Sequence, residues 1–282
     1  MKHFFKTVFI VYLWCLWSAV GSIASANPAV VDVDVADSAQ TKAAPTATSV
    51  TVFVQEALDS KGRPLPLSPS LVKFFHFFER HTDIRLQAVI VPWNRAKQLS
   101  LEGKGLIWGF SKSPERLIGY RFSETVLESR IWAVAYGEPR FPLRNIDDLK
   151  NKTISVERGV SHGMEFELAK NKIFKVDEDP ARASSRFRKL IAKRSDVLLW
   201  GLVQFDRQDL FLDYLHKTYL PNLRDPELLG KRFYASQRPM FYDSIHFACA
   251  KGQFEQAMTK IDAAIRYGFK TGELTKLVSE LD

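Results

Sequence analysis

The stretch "SKSPERLIGYRFS", residues 111–123, decides how this chain is read. It follows the short apolar run "GLIWGF" and gathers two hydroxyls, a proline and an arginine at its start. Ser113 has the side chain of a helix N-cap, Pro114 suits the first helical position, and Glu115 suits the first turn. Arg116 then falls at the positive end of a helix, the unfavourable side of its macrodipole, at a cost of about 0.3–1 kcal/mol if exposed. Two readings stay open at that point. The guanidinium is swung into solvent or paired locally, or helix terminus and guanidinium converge on one anion.

Outward from this segment the chain alternates. "VTVFVQEA", "IRLQAVIVP" and "GLIWGF" read as strands, and "SPSLVKFFHFFERH" and "WNRAKQLSLEGK" as the helices between them. Phe74, Phe75, Phe77 and Phe78 cover more than one face of the first helix, which places it in a core. After the strand "ESRIWAVAYG" a second unit begins. Strand "TISVE", turn "GVSHG", helix "MEFELAKN", strand "IFKV", helix "ASSRFRKLIAKR" and strand "SDVLLWGL" follow in order. Strand "SIHFACAK" and two helices close the chain. The fold class is α/β, with largely parallel sheets repeated in two units.

The ends bound the setting. Lys2 and Lys6, the apolar run from Val8 to Val20, and Ala24-Ser25-Ala26 make residues 1–26 a signal peptide. Residues 27–49 have no aromatic and read as a disordered leader. The 40 Lys and Arg face 32 Asp and Glu, and loss of Lys2 and Lys6 leaves a net charge of +6. In an exported protein such a charge favours a small anion or an anionic surface over nucleic acid. Cys249 is the one cysteine of the mature chain and sits in an apolar run, as an inert thiol would; no Cys/His spacing suits a metal, and no cofactor is expected.

"GVSHG", residues 159–163, matches the G-x-S-x-G turn that presents a catalytic serine in esterases. Glu157 and Arg158 precede it where an apolar strand should run in, and no upstream H-G-G element exists. A Ser161–Asp243–His246 triad rests on chain order alone.

"SKSPER…FS" resembles the T-x-T-P-E-R…F-S signature of the third family of bacterial extracellular solute-binding proteins, which includes polar amino-acid binders. "IDDLKNKTISVERG" resembles that family's D-L-x-G-K-x-V-G-V-x-x-G, and "LIAKRSDVLL" its L-x-x-G-R-x-D-A. The resemblance covers residues 50–282 in order. It implies a two-lobed type 2 periplasmic binding protein fold, two Rossmann-like lobes joined by two crossover strands. Lobe one would hold 50–134 and 249–282, and lobe two 135–248. It further implies a periplasmic monomer that encloses an amino acid or other small anion by hinge closure and serves an ABC transporter permease or a sensor. An enzyme on the same fold, dehydratase- or lyase-like, is the alternative.

Carried over by motif, Arg116 would hold a ligand carboxylate, with Ser111 and Ser113 beside it. Trp93 would line the cleft or pack as an ordinary core residue. Ser161 would cap the helix after "GVSHG", touch ligand from lobe two, or do both, and His162 would contact ligand or sit in solvent. Arg95 is expected on the helix surface. The chain departs from the family where an aspartate neutralises a ligand ammonium, since Gly201 stands there and Asp206 is the nearest later acid. Lys104-Gly105-Leu106 replaces a G-K-x-D run, and "QEALDSKG" lacks the family's early aromatic.

Overall fold

The computed structural model describes residues 48–59, 62–138, 140–180 and 182–281. The signal peptide and almost all of the expected leader lie outside them. Thr48 and Ser49 correct the leader's end. They pair with Ile84 and Arg85 and extend the first ladder by two residues.

The first half runs β1 (Thr48–Gln55), α1 (Pro69–Thr82), β2 (Ile84–Val91), α2 (Trp93–Leu101), β3 (Leu106–Ser111), α3 (Arg116–Gly119) and β4 (Tyr120–Phe122). Strand β5 (Leu127–Tyr136) crosses to the second half. There β6 (Thr153–Glu157), α4 (Met164–Ala169), β7 (Lys175–Asp179), α5 (Ala183–Ile191) and β8 (Val197–Leu202) follow. Next come α6 (Gln208–Tyr214), a π-helical turn (Leu215–Tyr219), α7 (Leu220–Asn222) and β9 (Phe233–Ala235). Strand β10 (Phe241–Ala250) returns, and α8 (Glu255–Thr271) and α9 (Glu273–Ser279) finish the chain.

One sheet threads both halves in the order β2-β1-β3-β10-β5-β8-β6-β7, with β4 on β10 and β9 on β5. Strand β1 lies parallel to both β2 and β3, and β6 lies parallel to both β7 and β8. Each half therefore places its first strand between its second and third. Parallel strands need crossover helices, so the helices cover the faces and the loops after the strands gather at one edge. Strands β5 and β10 run antiparallel to each other and join the halves.

Alternation along the strands splits each half into cores on two faces. Val50, Val52 and Val54 of β1 pack with Phe74, Phe77 and Phe78 of α1, while Phe53 joins Val89, Ile107 and Phe110 on the other face. In the second half Ile131 and Ala133 of β5 meet Phe166 and Phe174, and Trp132 and Val134 meet Phe187 and Phe211. The aromatic helix behaves as its pattern predicts: Phe74, Phe75, Phe77 and Phe78 are all buried, and Phe78 meets Phe247 edge-on at 5.0 Å. Core membership changes between Val126 and Ile131, and again between Phe241 and Phe247.

Two local expectations change. The strand expected over "IFKV" begins only at Lys175. Asn171 turns left-handed (φ 61°) and donates its N–H to Phe174 O, so Phe174 ends a turn and packs on Phe166. The run Gln208–Asn222, for which the sequence suggests no element, is helical, with a π turn at its centre and Pro221 in its last turn.

Gly268 of α8 lets three helices meet. A Cβ there would lie 2.5 Å from Phe77 Cζ and 2.6 Å from Leu274 Cβ. Overpacking costs roughly 1–3 kcal/mol, and alanine returns at most about 1 kcal/mol of helix propensity. Gly268→Ala is therefore expected to lower the melting temperature; an unchanged or higher value by calorimetry would show that α1 and α9 have room to give.

Candidate functional site

The turn after β3 is built as the sequence suggests. Ser113 Oγ accepts a hydrogen bond from Arg116 N at 3.2 Å, and Ser113 O accepts from Leu117 N at 3.0 Å. This starts α3 and sends the Arg116 side chain back toward β3. There its guanidinium lies 4.1 Å above the centre of the Phe110 ring, a cation–π contact. Arg116 Nη1 donates to Ser111 O at 2.9 Å, and Nη2 donates to Gly159 O at 3.0 Å. Burial pulls its pKa down, opposed by Glu167 and Asp243. The first contact is within its own half; the second reaches across to the other.

Gly159 stands on the β6–α4 turn with φ 73°. Its carbonyl accepts from three side chains of the first half: Trp93 Nε1 at 3.0 Å, Arg116 Nη2 at 3.0 Å and Lys97 Nζ at 3.4 Å. Burial and the neighbouring Arg116 charge lower the Lys97 pKa. The position favours glycine because its φ is left-handed; a Cβ would also press on Asn94 Oδ1 at 2.4 Å, a side-chain end that can swing aside.

Two residues on, Ser161 is buried, and its Oγ accepts from Gly163 N at 3.3 Å. Its carbonyl lies 3.4 Å from Ser111 Oγ, but that hydroxyl's stronger bond is to Asp243 Oδ2 at 2.5 Å. His162 is only 6% exposed and meets Phe166 edge-on, which rules out the solvent position expected as one alternative. Burial, with Arg186 and Arg116 repelling a proton, lowers its pKa to about 3, and its Nε2 has no hydrogen-bond partner.

Asp243, on β10, is the residue that sequence reasoning undervalued. Burial raises its pKa to about 7 against the opposing pull of the Ser111 bond and Arg116. Its Oδ1 has no partner and lies 3.2 Å from where a Cβ on Gly163 (φ 91°) would stand. One signal was available: an acid in the strand "FYDSIHFACA", otherwise short of charge. The triad that chain order allows does not form. His246 pairs through Nδ1 with Ser123 O at 2.8 Å and abuts Phe122, while Asp243 holds Ser111 and Ser161 caps its own turn.

The structure thus brings Trp93, Ser111, Ser113, Arg116, Ser161 and His162 to one seam between the halves. Arg95 and Asp206 stay on the surface, Arg95 donating to Gln98 Oε1 at 3.2 Å. Gly201 is exposed, and a Cβ there would lie 2.7 Å from Ser129 Oγ, a side-chain end. Two cavities open along the seam, each lined from both halves. One of about 710 Å³ is bordered by Lys97, Ser113, Arg116, Gly159 and Glu167. The other, of about 890 Å³, is bordered by Gln55, Glu157, Ser184, Arg186 and Tyr219. Among the described residues no group of three or more His, Cys, Asp or Glu is placed to hold a metal, and no helix is long and apolar enough to cross a membrane.

No family model matches the sequence, and no curated protein matches it either. Solved structures do match by shape. A mutant of ArgBP from T. maritima superposes with a TM-score of 0.58 at 18% identity, over 82% of this chain and 94% of that one. The substrate-binding protein of an amino acid ABC transporter gives 0.57 at 19% identity, over 82% and 98%. The GluR0 ligand-binding core from Nostoc punctiforme, in complex with L-glutamate, gives 0.57 at 16% identity, over 81% and 96%. At such identities the likeness speaks for the fold, and the chain has the two-lobed type 2 periplasmic binding protein fold.

Two outcomes follow from the seam. Gly159→Ala is expected to strain the left-handed turn and lower the melting temperature; an unchanged value by calorimetry would mean that the turn yields instead. The buried titrating pair has opposite signs. Asp243 is raised from an ordinary carboxylate value to about 7, so its contribution is present below about pH 4 and is lost as pH rises through about 7. His162 is depressed to about 3, so its contribution is present above about pH 6.5 and falls as pH drops toward 3. Asp243→Asn should flatten the melting-temperature profile between about pH 4 and 7, and His162→Gln should lift its acid limb. Profiles parallel to wild type would refute both assignments.

Proposed function

We propose that this chain is an exported solute-binding protein of the extracellular solute-binding family 3 type, a monomer without enzymatic activity. It captures a small, carboxylate-bearing solute between its lobes and presents it to a transporter or a sensor. The lobes are drawn at the core changeover, with lobe one ending between Val126 and Ile131 and resuming between Phe241 and Phe247, slightly earlier than the motif-based limits.

The observation that carries this reading is the donor set around Gly159 O. Trp93 Nε1, Lys97 Nζ and Arg116 Nη2 converge on one oxygen from lobe one. A ring of donors that fits a carbonyl oxygen fits a carboxylate oxygen better, because the charge roughly doubles the strength of each bond. When the lobes part, these donors lose their acceptor, and an incoming carboxylate replaces it. Ser111 and Ser113 hold the β3–α3 turn in place, and Ser161 and His162 close over the solute from lobe two. The carboxyl of Asp243, poised near neutrality beside Ser111, faces whatever donor the solute brings. The solved neighbours named for amino acid transport or bound to glutamate support the solute class.

A thermal-shift screen of amino acids and small carboxylates tests the proposal, since a ligand that binds only the folded chain raises its melting temperature. A hit at a hundred times its Kd contributes about 2.7 kcal/mol. Arg116→Ala should weaken that hit by roughly tenfold or more, the worth of a bond to a charged group. Equal shifts in wild type and Arg116→Ala would remove the arginine from the site. Accumulation of product from a hit would replace the binding protein with a catalytic derivative in which Asp243 is the acid–base group.

A further inference from the structure

The 890 Å³ cavity lies at the other end of the seam and is lined by residues that the reading above does not use. From lobe two, α5 sends Arg182, at its N-cap, and Arg186, one turn on. Arg186 is largely buried, at 12% side-chain exposure, yet weakly compensated. Its Nη2 stands 3.9 Å from Glu157 Oε2, beyond hydrogen-bond reach, and its Nη1 reaches Leu199 O at 3.4 Å. Its Nε is buried with no partner. Glu157 is itself shared with Gln55 of lobe one, and burial raises its pKa against the pull of Arg186 and the Gln55 bond. A buried guanidinium with an orphaned N–H and its nearest carboxylate beyond hydrogen-bond reach is an unfavourable arrangement unless something else supplies the missing acceptor.

The other groups at the cavity point the same way. Arg182 forms no ion pair among the described residues, and its Nη2 lies 3.0 Å from the Cβ position of Gly62, on the loop of lobe one. Of the three acids at the cavity, Asp59 is held by Arg63 at 2.8 Å and Glu157 by Gln55, while Glu56 also lines it. Burial pushes the Tyr219 hydroxyl up to about 12, which keeps it a neutral donor. Ser184 adds a hydroxyl at the first turn of α5, where N–H groups lack intrahelical partners.

We propose that this cavity is a second anion site, distinct from Arg116, in which Arg182 and Arg186 grip a carboxylate or phosphate group as the lobes close. The group is either a free anion or the far end of a solute whose near carboxylate meets Arg116. The two sources share their chemistry and differ in what they require of Arg116.

Titration calorimetry of the mature chain with inorganic phosphate and with glutarate, at fixed ionic strength, separates the cases. Wild type is compared with Arg182→Ala, Arg186→Gln and Arg116→Ala, and circular dichroism monitors the fold. The site predicts that at least one probe binds wild type and weakens by roughly tenfold or more in Arg182→Ala and Arg186→Gln. Phosphate binding that ignores Arg116→Ala identifies a free anion. Glutarate binding that needs Arg116 as well identifies a two-ended solute. Arg182 is only half-buried, so its alanine variant keeps the test open if Arg186→Gln fails to fold. Probes that bind every variant alike, or neither probe binding wild type, would overturn the site. Failure of the Arg116 reading looks different, because it leaves every hit indifferent to Arg116→Ala.

Discussion

The carbonyl of Gly159 is where the two halves of this molecule are tied. Trp93, Lys97 and Arg116 come from α2 and α3 of one lobe and meet a single oxygen on the other lobe's first turn. A carbonyl has two lone pairs, so three donors crowd it, and the longest contact, from Lys97, is the weakest. Much else follows from this meeting. The turn favours glycine, the arginine must be turned back from its helix by the Ser113 cap, and Phe110 must present a ring for the guanidinium to lie on. Removing any one of these supports would loosen the rest.

Around that tie the seam holds more polarity than a core should. Asp243 and His162 are both buried, and each keeps a polar atom without a partner. Burial keeps the imidazole neutral and raises the acid to about 7, so Asp243 is divided between its protonated and charged forms near neutrality. Beside burial, the charges of Arg186 and Arg116 both disfavour a proton on His162. Asp243 and His162 together leave stability sensitive to pH in two opposing ways.

Much of this was legible in the sequence, for particular reasons. The strands of both halves alternate or run apolar, and the helix with four phenylalanines could only be a core element. The residues that meet at the seam all follow strand ends, so three short segments after β2, β3 and β6 were enough to find Trp93, Ser111, Arg116 and Ser161. What stayed hidden depends on partners distant in the chain. Asp243 matters through Ser111, 132 positions away, and the Gly159 carbonyl is a backbone atom that no residue letter reports. His162 was left between ligand contact and solvent because its burial beside Phe166 shows only in the fold. The Gln208–Asn222 run escaped notice, and it proves helical with a π turn at its centre.

The pairing of β5 with β10 carries one more consequence. Five consecutive residue pairs, from Phe241↔Ile131 to Ile245↔Leu127, bond the two connections between the lobes into a single ribbon. Sliding one lobe past the other would break that ladder, whereas twisting the ribbon about its length leaves it whole, and two-stranded ribbons accept more twist than broad sheets. The molecule is therefore a torsion element with a rigid paddle at each end. Any opening that keeps this ladder whole is close to a single rotation, which one well-chosen distance across the seam would describe.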